Sequence, residues 1–247
     1  MKIATTRYPL EIHESIDKAY RKIEEYYLKV KGTDIVIFPE YAGLEWAWSQ
    51  GKSFQENVEY FQNCNLKAYQ EALVELASAY QMIIIGGSVP VYDAQYYNRC
   101  YIAQPSGKLS FQDKIHLTPS EKALGWLKGA NVLKVFNTDF GSFSVCICYD
   151  SEFPELTSQE VFGEADVLFI PSYIDSNHGA YRIQVSARAR AMENQCFTVT
   201  ATCFGKVACD EFDGEATGNA GVFAPIDKGF PEDGIIKNSR FYSICNP

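Results

Sequence analysis

Apolar residues recur along the first third of the chain with two spacings, which predict helices and buried strands in alternation. Spacings of three and four residues between apolar positions indicate a helix with one apolar face, whereas short continuous apolar runs indicate buried strands. In order, the pattern predicts strand 3–7, helix 12–30, strand 34–38, helix 54–80 and strand 82–85. Gly32 should end the first helix, and Gly86 with Gly87 should end the last strand.

The same alternation continues through the rest of the chain. Runs 101–103 and 109–111 read as two strands joined across a Pro-Ser-Gly connection, so at least one strand pair should be antiparallel. Beyond them the pattern predicts strand 143–148, helix 154–162, strand 167–170, helix 180–193, strand 196–202 and a polar loop over 209–219. This order favours a layered α/β architecture with mixed sheets, and it leaves open whether there are one or two sheets.

Length and hydropathy bound the kind of protein. The chain has 247 residues, of which 47% are hydrophobic, and we expect one domain over residues 1–247. Its longest apolar runs are strand-length, shorter than the roughly 20 residues that a membrane helix needs. Charged residues at Lys2, Arg7 and Glu11 leave no apolar run of signal-peptide length near the N-terminus, so we expect a cytoplasmic protein.

Charge and cysteine usage exclude further classes. The net charge of −9 repels phosphate backbones, and no basic run is interleaved with aromatic residues, so nucleic acid is not an expected partner. The eight cysteines should be free thiols. Cys146 and Cys148 form a C-x-C pair without a second pair or a nearby histidine, and we expect neither a metal nor a cofactor.

Three segments carry side chains that can do chemistry. Glu40 follows an apolar strand through Pro39, Lys114 follows the predicted hairpin, and Cys148 stands where a strand turns into a helix. Taken alone, a carboxylate at a strand end or a lysine in a loop is usually a solvated surface residue. A thiol at a helix start should have a lowered pKa and form a thiolate. Cys146, two residues earlier in the strand, competes for the nucleophile role but should be more buried.

Together these segments resemble the carbon-nitrogen hydrolase (nitrilase-like) family. Its members share a Glu in a strand-end F-P-E, a Lys in a K-x-H-L-like run and a Cys in a C-Y-D-x-x-F-P-E-like run. The matching runs here are 38–40, 114–117 and 148–155, in that order along the chain. Runs 3–8, 97–99 and 187–194 resemble further family segments, so the resemblance spans most of the sequence.

The resemblance implies a fold, a reaction and a set of site residues. The fold would be a four-layer α-β-β-α sandwich, and the substrate a small-molecule amide cleaved with water. Cys148 would be the nucleophile, Glu40 the general base and Lys114 the oxyanion stabiliser, with Glu121 as a further catalytic carboxylate. The Tyr149 backbone N–H, directly after the nucleophile, would be a second oxyanion donor. A nitrilase or an N-acyltransferase with the same triad, and a catalytically silent scaffold, are the alternatives.

Finer expectations concern the substrate, the branch and the assembly. Glu152 stands where Arg is frequent in the family, and with Asp175 it suggests a substrate that bears a positive or strongly hydrogen-donating group. Run 149–155, Arg182 and run 189–196 look most like a branch often fused to a GNAT-type acetyltransferase. Family members commonly pair through the helices that correspond to 154–162 and 180–193, which implies a homodimer; apolar Phe162, Ile183 and Val185 lie in those helices.

Overall fold

Two seven-stranded sheets of mixed direction, facing each other, form the centre of the protein. This is a computed structural model, and it describes residues 1–11, 13–47, 53–158, 163, 165–205, 215–239 and 243–245. Helices cover the outer face of each sheet, which gives four layers in the order α-β-β-α. The predicted α/β class with mixed sheets is confirmed, and the question of one sheet or two is answered.

Helices and strands follow one another along the whole described chain. The first half contains β1 (Ile3–Thr5), β2 (Arg7–Pro9), α1 (Ile16–Lys29), β3 (Ile35–Ile37), α2 (Phe54–Tyr60), α3 (Leu66–Tyr80), β4 (Ile83–Asp93), β5 (Gln95–Ala103), β6 (Leu109–Asp113), α4 (Pro119–Ala123) and β7 (Leu127–Lys128). The second half contains β8 (Val135–Thr138), β9 (Gly141–Val145), β10 (Val167–Ser172), α5 (Asn177–Asn194), β11 (Phe197–Phe204), β12 (Ala220–Phe223), β13 (Ile235–Ser239) and β14 (Ser243–Cys245).

The strand order brings the chemically important strands to the middle of each sheet. The first sheet runs β14-β1-β3-β4-β5-β6, with β7 beside β5. The second runs β13-β12-β11-β10-β9-β8, with β2 beside β11. β3 pairs in parallel with β1 and β4, and β10 pairs in parallel with β9 and β11. Parallel neighbours present their carboxyl ends at the same edge, where polar side chains can converge.

Alternate residues of the central strands face opposite layers, as a buried strand requires. Ile35 and Ile37 of β3 belong to one apolar cluster with buried residues of the second sheet. Val36 between them belongs to the cluster that contains residues of α1 and α3. On the other side of the molecule, α5 packs on β11 and β12. The two faces of each sheet are therefore apolar, and the polar site lies at the strand ends.

The first predicted strand, 3–7, divides between the two sheets. β1 pairs with β3 in the first sheet, whereas β2 pairs with β11 in the second. The change occurs at Thr6, whose hydroxyl donates to the backbone oxygen of Ile37 at 2.9 Å. An apolar run shows burial but not the sheet to which each residue belongs, so the sequence predicted one strand.

Gly86 and Gly87 do not end a strand, contrary to the prediction. β4 continues through them to Asp93, and its pairing with β5 shifts register between Ile85 and Ser88. Gly87 has φ +78, and a Cβ there would lie 2.1 Å from the backbone oxygen of Pro39. The glycine is needed because the bulged strand passes directly against the residue that precedes Glu40.

Other predicted elements differ from the structure in extent. Helix 54–80 is continuous but contains a π-helical turn, Phe61–Asn65, between α2 and α3. Of helix 154–162, the described part is a 3-10 helix, Pro154–Thr157, and residues 159–162 lie outside the described residues. Residues 209–214 of the predicted loop also lie outside them. No helix in the described ranges is both long enough and apolar enough to cross a membrane.

Candidate active site

One cavity of about 460 Å³ opens at the carboxyl ends of the strands, between the two sheets and α5. All seven predicted site residues line it: Glu40, Lys114, Glu121, Cys148, Tyr149, Glu152 and Asp175. They come from five separate stretches of the chain, and the fold brings them together. Cys146, the competing thiol, is fully buried and does not line this cavity.

Three charged side chains form the floor of the cavity. The ammonium group of Lys114 lies 2.8 Å from Glu40 Oε1 and 2.8 Å from Glu121 Oε2. All three residues are buried, with Lys114 and Glu40 each 1% exposed. A buried cation between two carboxylates is held in one orientation, because every alternative would leave a charge unpaired in a poorly solvated site.

Strand ends place the central side chains. Glu40 follows β3, Lys114 directly follows β6, and Cys148 lies three residues beyond the end of β9. The main chain of Lys114 is fixed on both sides, since its N–H donates to Asn98 O at 2.8 Å and its carbonyl accepts from Ala130 N at 2.9 Å. The sheets therefore set where each functional group starts.

Asn98 and Tyr41 donate to the same carboxylate oxygens that Lys114 contacts. Asn98 Nδ2 donates to Glu40 Oε1 at 2.9 Å, and the Tyr41 hydroxyl donates to Glu121 Oε1 at 2.6 Å. Tyr41 has a left-handed backbone, with φ 63, which is costly for a residue with a side chain. This conformation directly follows Glu40, so the strain is located at the site.

Tyr173 links Glu40 to Cys148. Its backbone N–H donates to Glu40 Oε2 at 2.9 Å, and its carbonyl oxygen accepts from the Cys148 thiol at 3.5 Å. Tyr173 directly follows β10, the strand between β9 and β11. One residue thus fixes the Glu40 carboxylate and the Cys148 sulfur relative to each other.

The Cys148 thiol has a raised pKa, opposite to the lowered pKa that the strand-to-helix position predicted. Burial is the largest cause, and the negative charge of Glu40 adds to it, against the opposing effect of Lys114. The helix that follows is only the five-residue 3-10 turn Cys148–Glu152. Cys148 itself has φ 50 and is 7% exposed. The resting sulfur is therefore a neutral thiol that needs a base.

The pKa values of the two carboxylates of the floor are shifted in opposite directions. Burial raises the pKa of Glu40, which Lys114 only partly offsets. For Glu121, burial acts in the same upward direction, but Lys114, Tyr41 and the Thr118 backbone outweigh it and lower the pKa. Burial works to lower the pKa of Lys114, yet the two carboxylates raise it. Lys114 thus stays charged, Glu121 stays ionised and Glu40 is the carboxylate most ready to take a proton.

Asp150 connects the segment that bears Lys114 to the turn that bears Cys148. Its carboxylate, 1% exposed, accepts from the backbone N–H groups of Ile115 (3.2 Å) and His116 (2.6 Å) on one side. On the other side it accepts from Ile147 N at 3.2 Å. These donors are next to Lys114 and Cys148 in the chain, so Asp150 fixes the separation of those two residues.

We expect Asp150→Asn to lower kcat about 10–100-fold with little change in KM, because a 1 Å misplacement within a catalytic site can cost about 10²-fold. The introduced asparagine amide has only one oxygen that accepts hydrogen bonds. Its NH₂ group would face backbone N–H donors on the other side, and no hydrogen bond forms between two donors. The matched control is Asp166→Asn: Asp166 accepts from Ser142 N at 2.8 Å and does not line the cavity. Equal losses of kcat in both variants would show that Asp150 is merely structural.

The outer wall of the cavity carries the remaining charges. Glu152 is half-buried and accepts from Arg182 Nε at 3.1 Å, whereas Asp175 is exposed. Tyr149, half-buried, follows Cys148 and lines the cavity. Within the described ranges, no group of three or more His, Cys, Asp or Glu side chains is placed to hold a metal ion.

Sequence reasoning missed Tyr41, Asn98, Asp150 and Tyr173 as parts of the site. Tyr41 and Asp150 stand next to or near predicted residues, but nothing in their residue types distinguishes them from packing residues. Tyr173 acts through its backbone, which no side-chain motif can reveal. Asn98 lies in run 97–99 and Asp150 in run 148–155, and these two family-like runs were the available signals.

Comparison with known proteins gives a consistent result. The family model described as "Carbon-nitrogen hydrolase" matches residues 3–228. "Probable hydrolase YhcX" of Bacillus subtilis is 30% identical over 96% of this chain, and "Omega-amidase NIT2-B" of Xenopus laevis is 29% identical over 76% of the chain and 68% of that protein. The chain spans 47% of the length of the Bacillus relative. The crystal structure of Saccharomyces cerevisiae Nit3, of the nitrilase superfamily, has a TM-score of 0.77 at 24% identity, covering 99% of this chain and 88% of that one.

Proposed function

This chain belongs to the carbon-nitrogen hydrolase family, and from that premise we propose that it hydrolyses the C–N bond of a small-molecule amide through a thioester on Cys148. Relatives that carry the name omega-amidase support an amide as the bond class. The roles of Glu40, Lys114 and Cys148 in this proposal are those that the family resemblance implied.

One observation carries the proposal. Lys114 lies 2.8 Å from Glu40 in the floor of a cavity onto which Cys148 also opens. A nucleophile, a base with a raised pKa and a permanently charged cation are the three components that acyl transfer needs. A scaffold gains nothing from burying this combination, since buried charges cost free energy.

In the first half of the reaction, Cys148 gives its proton to Glu40 as the sulfur attacks the amide carbonyl carbon. The carbonyl oxygen becomes negative, and the Lys114 ammonium and the Tyr149 N–H stabilise it. The C–N bond then breaks, and Glu40 returns the proton to the leaving nitrogen, which departs as ammonia or an amine. A thioester on Cys148 and an unprotonated Glu40 remain.

In the second half, a water molecule takes the place of the leaving nitrogen. Glu40 accepts a proton from this water as its oxygen attacks the thioester carbon, and Lys114 again stabilises the oxyanion. The C–S bond breaks, the sulfur recovers the proton from Glu40, and the carboxylic acid leaves. The sum is amide plus water to carboxylic acid plus ammonia or amine.

The experiment that tests this reaction compares primary amides, carbamoyl compounds and nitriles as substrates, with ammonia release as the readout. We expect release from amides and none from a Cys148→Ala protein. Release from nitriles alone would favour a nitrilase, and transfer of the acyl group to an added amine in preference to water would favour an N-acyltransferase. If none of these compounds is turned over and Cys148 does not react with a substrate-like alkylating amide, the silent scaffold is favoured.

We further propose that two copies of the chain pair through α5. Tyr181, Val185 and Met192 lie on one face of this helix and are 71%, 62% and 44% exposed, although they are apolar. Ile183, which the sequence analysis assigned to the same surface, is instead 3% exposed and lines the cavity. Phe162 lies outside the described residues.

We expect a mass near twice 27.8 kDa by light scattering at micromolar concentration, and a monomeric mass for Val185→Asp, because a carboxylate there would be buried in the interface. Val132→Asp is the control, since Val132 is also exposed, at 56%, but lies in a loop elsewhere. A monomeric native chain would contradict the pairing.

We propose that residues 1–247 form one domain, which the continuous sheets support, since β1 near the start pairs with β14 near the end. The branch often fused to an acetyltransferase is proposed on the strength of run 149–155, Arg182 and run 189–196 alone.

A further inference from the structure

The outer wall of the cavity contains a pair of opposite charges that the proposed chemistry does not use. Arg182, from the first turns of α5, donates from Nε to Glu152 Oε1 at 3.1 Å, and both line the cavity with Cys148. The Arg182 side chain is 61% exposed and that of Glu152 is 19% exposed. The pair therefore faces the volume that a substrate would fill.

Most of the hydrogen-bonding capacity of the pair is not used within the described part of the chain. Among the residues that the structure describes, the Nε to Oε1 contact is the one hydrogen bond that either side chain makes. The two terminal nitrogens of Arg182 and the second oxygen of Glu152 remain for a ligand. An exposed ion pair adds little to stability, so folding alone does not account for the pair.

The remaining donors and acceptors of the pair can bind ligand groups of either charge. The planar fork of a guanidinium matches a carboxylate, whereas Glu152 and the neighbouring Asp175 match a cation. With these two carboxylates and one guanidinium, the outer wall has a net charge of −1, since Asp175 also lines the cavity. A substrate end that is only anionic would be repelled by the acidic pair, and one that is only cationic would leave Arg182 unused.

We propose, on the basis of the amidase function above, that the substrate is an amide whose far end carries both an ammonium and a carboxylate group, as in the side-chain amide of an amino acid. Arg182 binds the carboxylate, and Glu152 with Asp175 binds the ammonium. The amide lies at the other end of the molecule, against Cys148. A cavity of about 460 Å³ accommodates a molecule of this size.

Four primary amides of matched chain length test this assignment. Glutamine carries both charged groups, glutaramate lacks the ammonium, 4-aminobutanamide lacks the carboxylate and butanamide lacks both. We expect kcat/KM to be highest for glutamine and about tenfold lower when either group is missing, as one charge-assisted contact is lost each time. Trace ammonia in the four amide preparations would disturb an ammonia assay of small rates. The carboxylic acid product of each amide is therefore measured by mass spectrometry.

Two substitutions on α5 test whether Arg182 causes the preference for glutamine. In Arg182→Gln, the values of kcat/KM for glutamine and 4-aminobutanamide should become about equal, because the contact with the carboxylate is lost. The higher kcat/KM for glutamine than for glutaramate should largely remain. Arg188→Gln is the matched control, because Arg188 lies on the same helix, donates to Asp233 O at 3.0 Å and does not line the cavity. It should leave all four values of kcat/KM unchanged.

The outcomes separate this inference from the amidase function. Comparable kcat/KM for all four amides, or a preference that Arg182→Gln does not alter, would overturn the inference and leave the function standing. Absence of turnover of all four by a protein whose Cys148 still reacts with fluoroacetamide would also overturn the inference alone. Failure of both turnover and that reaction would overturn the proposed function itself.

Discussion

Replacing Lys114 with alanine is expected to abolish turnover, by about 10³-fold or more in kcat. Removing a single oxyanion donor costs about 10²–10³-fold, and here the lost donor is a full positive charge that also orients the base. The Lys114 ammonium lies 2.8 Å from Glu40 Oε1. Without it, the oxyanion keeps only the Tyr149 N–H, and the Glu40 carboxylate keeps its contacts with Asn98 and Tyr173 but loses its cation. The measurement is kcat on whichever amide the native protein hydrolyses best.

The same substitution should also lower the free energy of unfolding, by about 3–5 kcal/mol at neutral pH, because it leaves Glu40 and Glu121 buried without a cation. In the native chain the pKa of Glu121 is lowered, so its ionised form stabilises the fold at neutral pH, and this contribution is lost as pH falls through that lowered pKa. In Lys114→Ala the pKa of both carboxylates should rise. The stability deficit should therefore shrink as pH falls toward about 5.

A second variant separates loss of catalysis from loss of folding. Lys114→Ala combined with Glu121→Gln removes one of the two stranded carboxylates, so most of the stability should return while kcat stays at the background value. Thermal unfolding and kcat are measured on both proteins. Near-native kcat in either of them would rule out Lys114 as the oxyanion cation.

Replacing Glu40 with glutamine should lower kcat by about 10²–10⁴-fold, the range that a positioned general base contributes. The pKa of the Cys148 thiol is raised, chiefly by burial, so the sulfur cannot ionise alone near neutral pH. A glutamine fills the same space but takes no proton. The control is Glu45→Gln: Glu45 is also a buried carboxylate with a lysine partner, Lys22 at 2.6 Å, and it does not line the cavity.

Glu40 should also set the acid limb of the pH profile. It must be unprotonated to accept the thiol proton, and burial raises its pKa above the ordinary 4.5. Activity should accordingly fall as pH drops through a midpoint above 4.5, with the value belonging to the Glu40 and Glu121 pair because the two interact. A midpoint in kcat/KM below 4.5, or a Glu40→Gln protein as active as Glu45→Gln, would show that Glu40 is not the base.

The layered α/β fold could be predicted from the pattern of apolar runs, whereas the seven predicted residues that line the cavity came mainly from the family resemblance. Apolar runs located β3, β9 and β10, and polar residues directly beyond such strands identified Glu40 and Cys148. Residue types do not reveal which strands are neighbours in a sheet. Pairing between distant strands, such as β2 with β11, depends on the whole packed structure.

The electrostatics of the site could not be predicted for a related reason. The position of Cys148 before a turn suggested a lowered pKa, but the sign of the shift depends on burial and on Glu40, 108 positions earlier in the chain. Likewise, the sequence suggested that Glu152 and Asp175 bind a positive or hydrogen-donating group, and only the structure places Arg182 beside Glu152. Charges that meet only after folding decide the chemistry of this cavity.

Cysteine chemistry distinguishes the enzyme from a scaffold most directly. Cys64 is exposed and should react with strong alkylating agents, whereas Cys148 is buried in the cavity with Glu40 and Lys114. Fluoroacetamide is a weak alkylating agent that resembles an amide substrate, so it should react only where an amide is bound and a base assists the thiol.

The decisive measurement is therefore peptide mass spectrometry of the protein after incubation with fluoroacetamide. We predict an acetamide group on Cys148, an unmodified Cys64, and competition by the amide substrate. Modification of Cys64 with an inert Cys148 would contradict the assignment of Cys148 as the nucleophile.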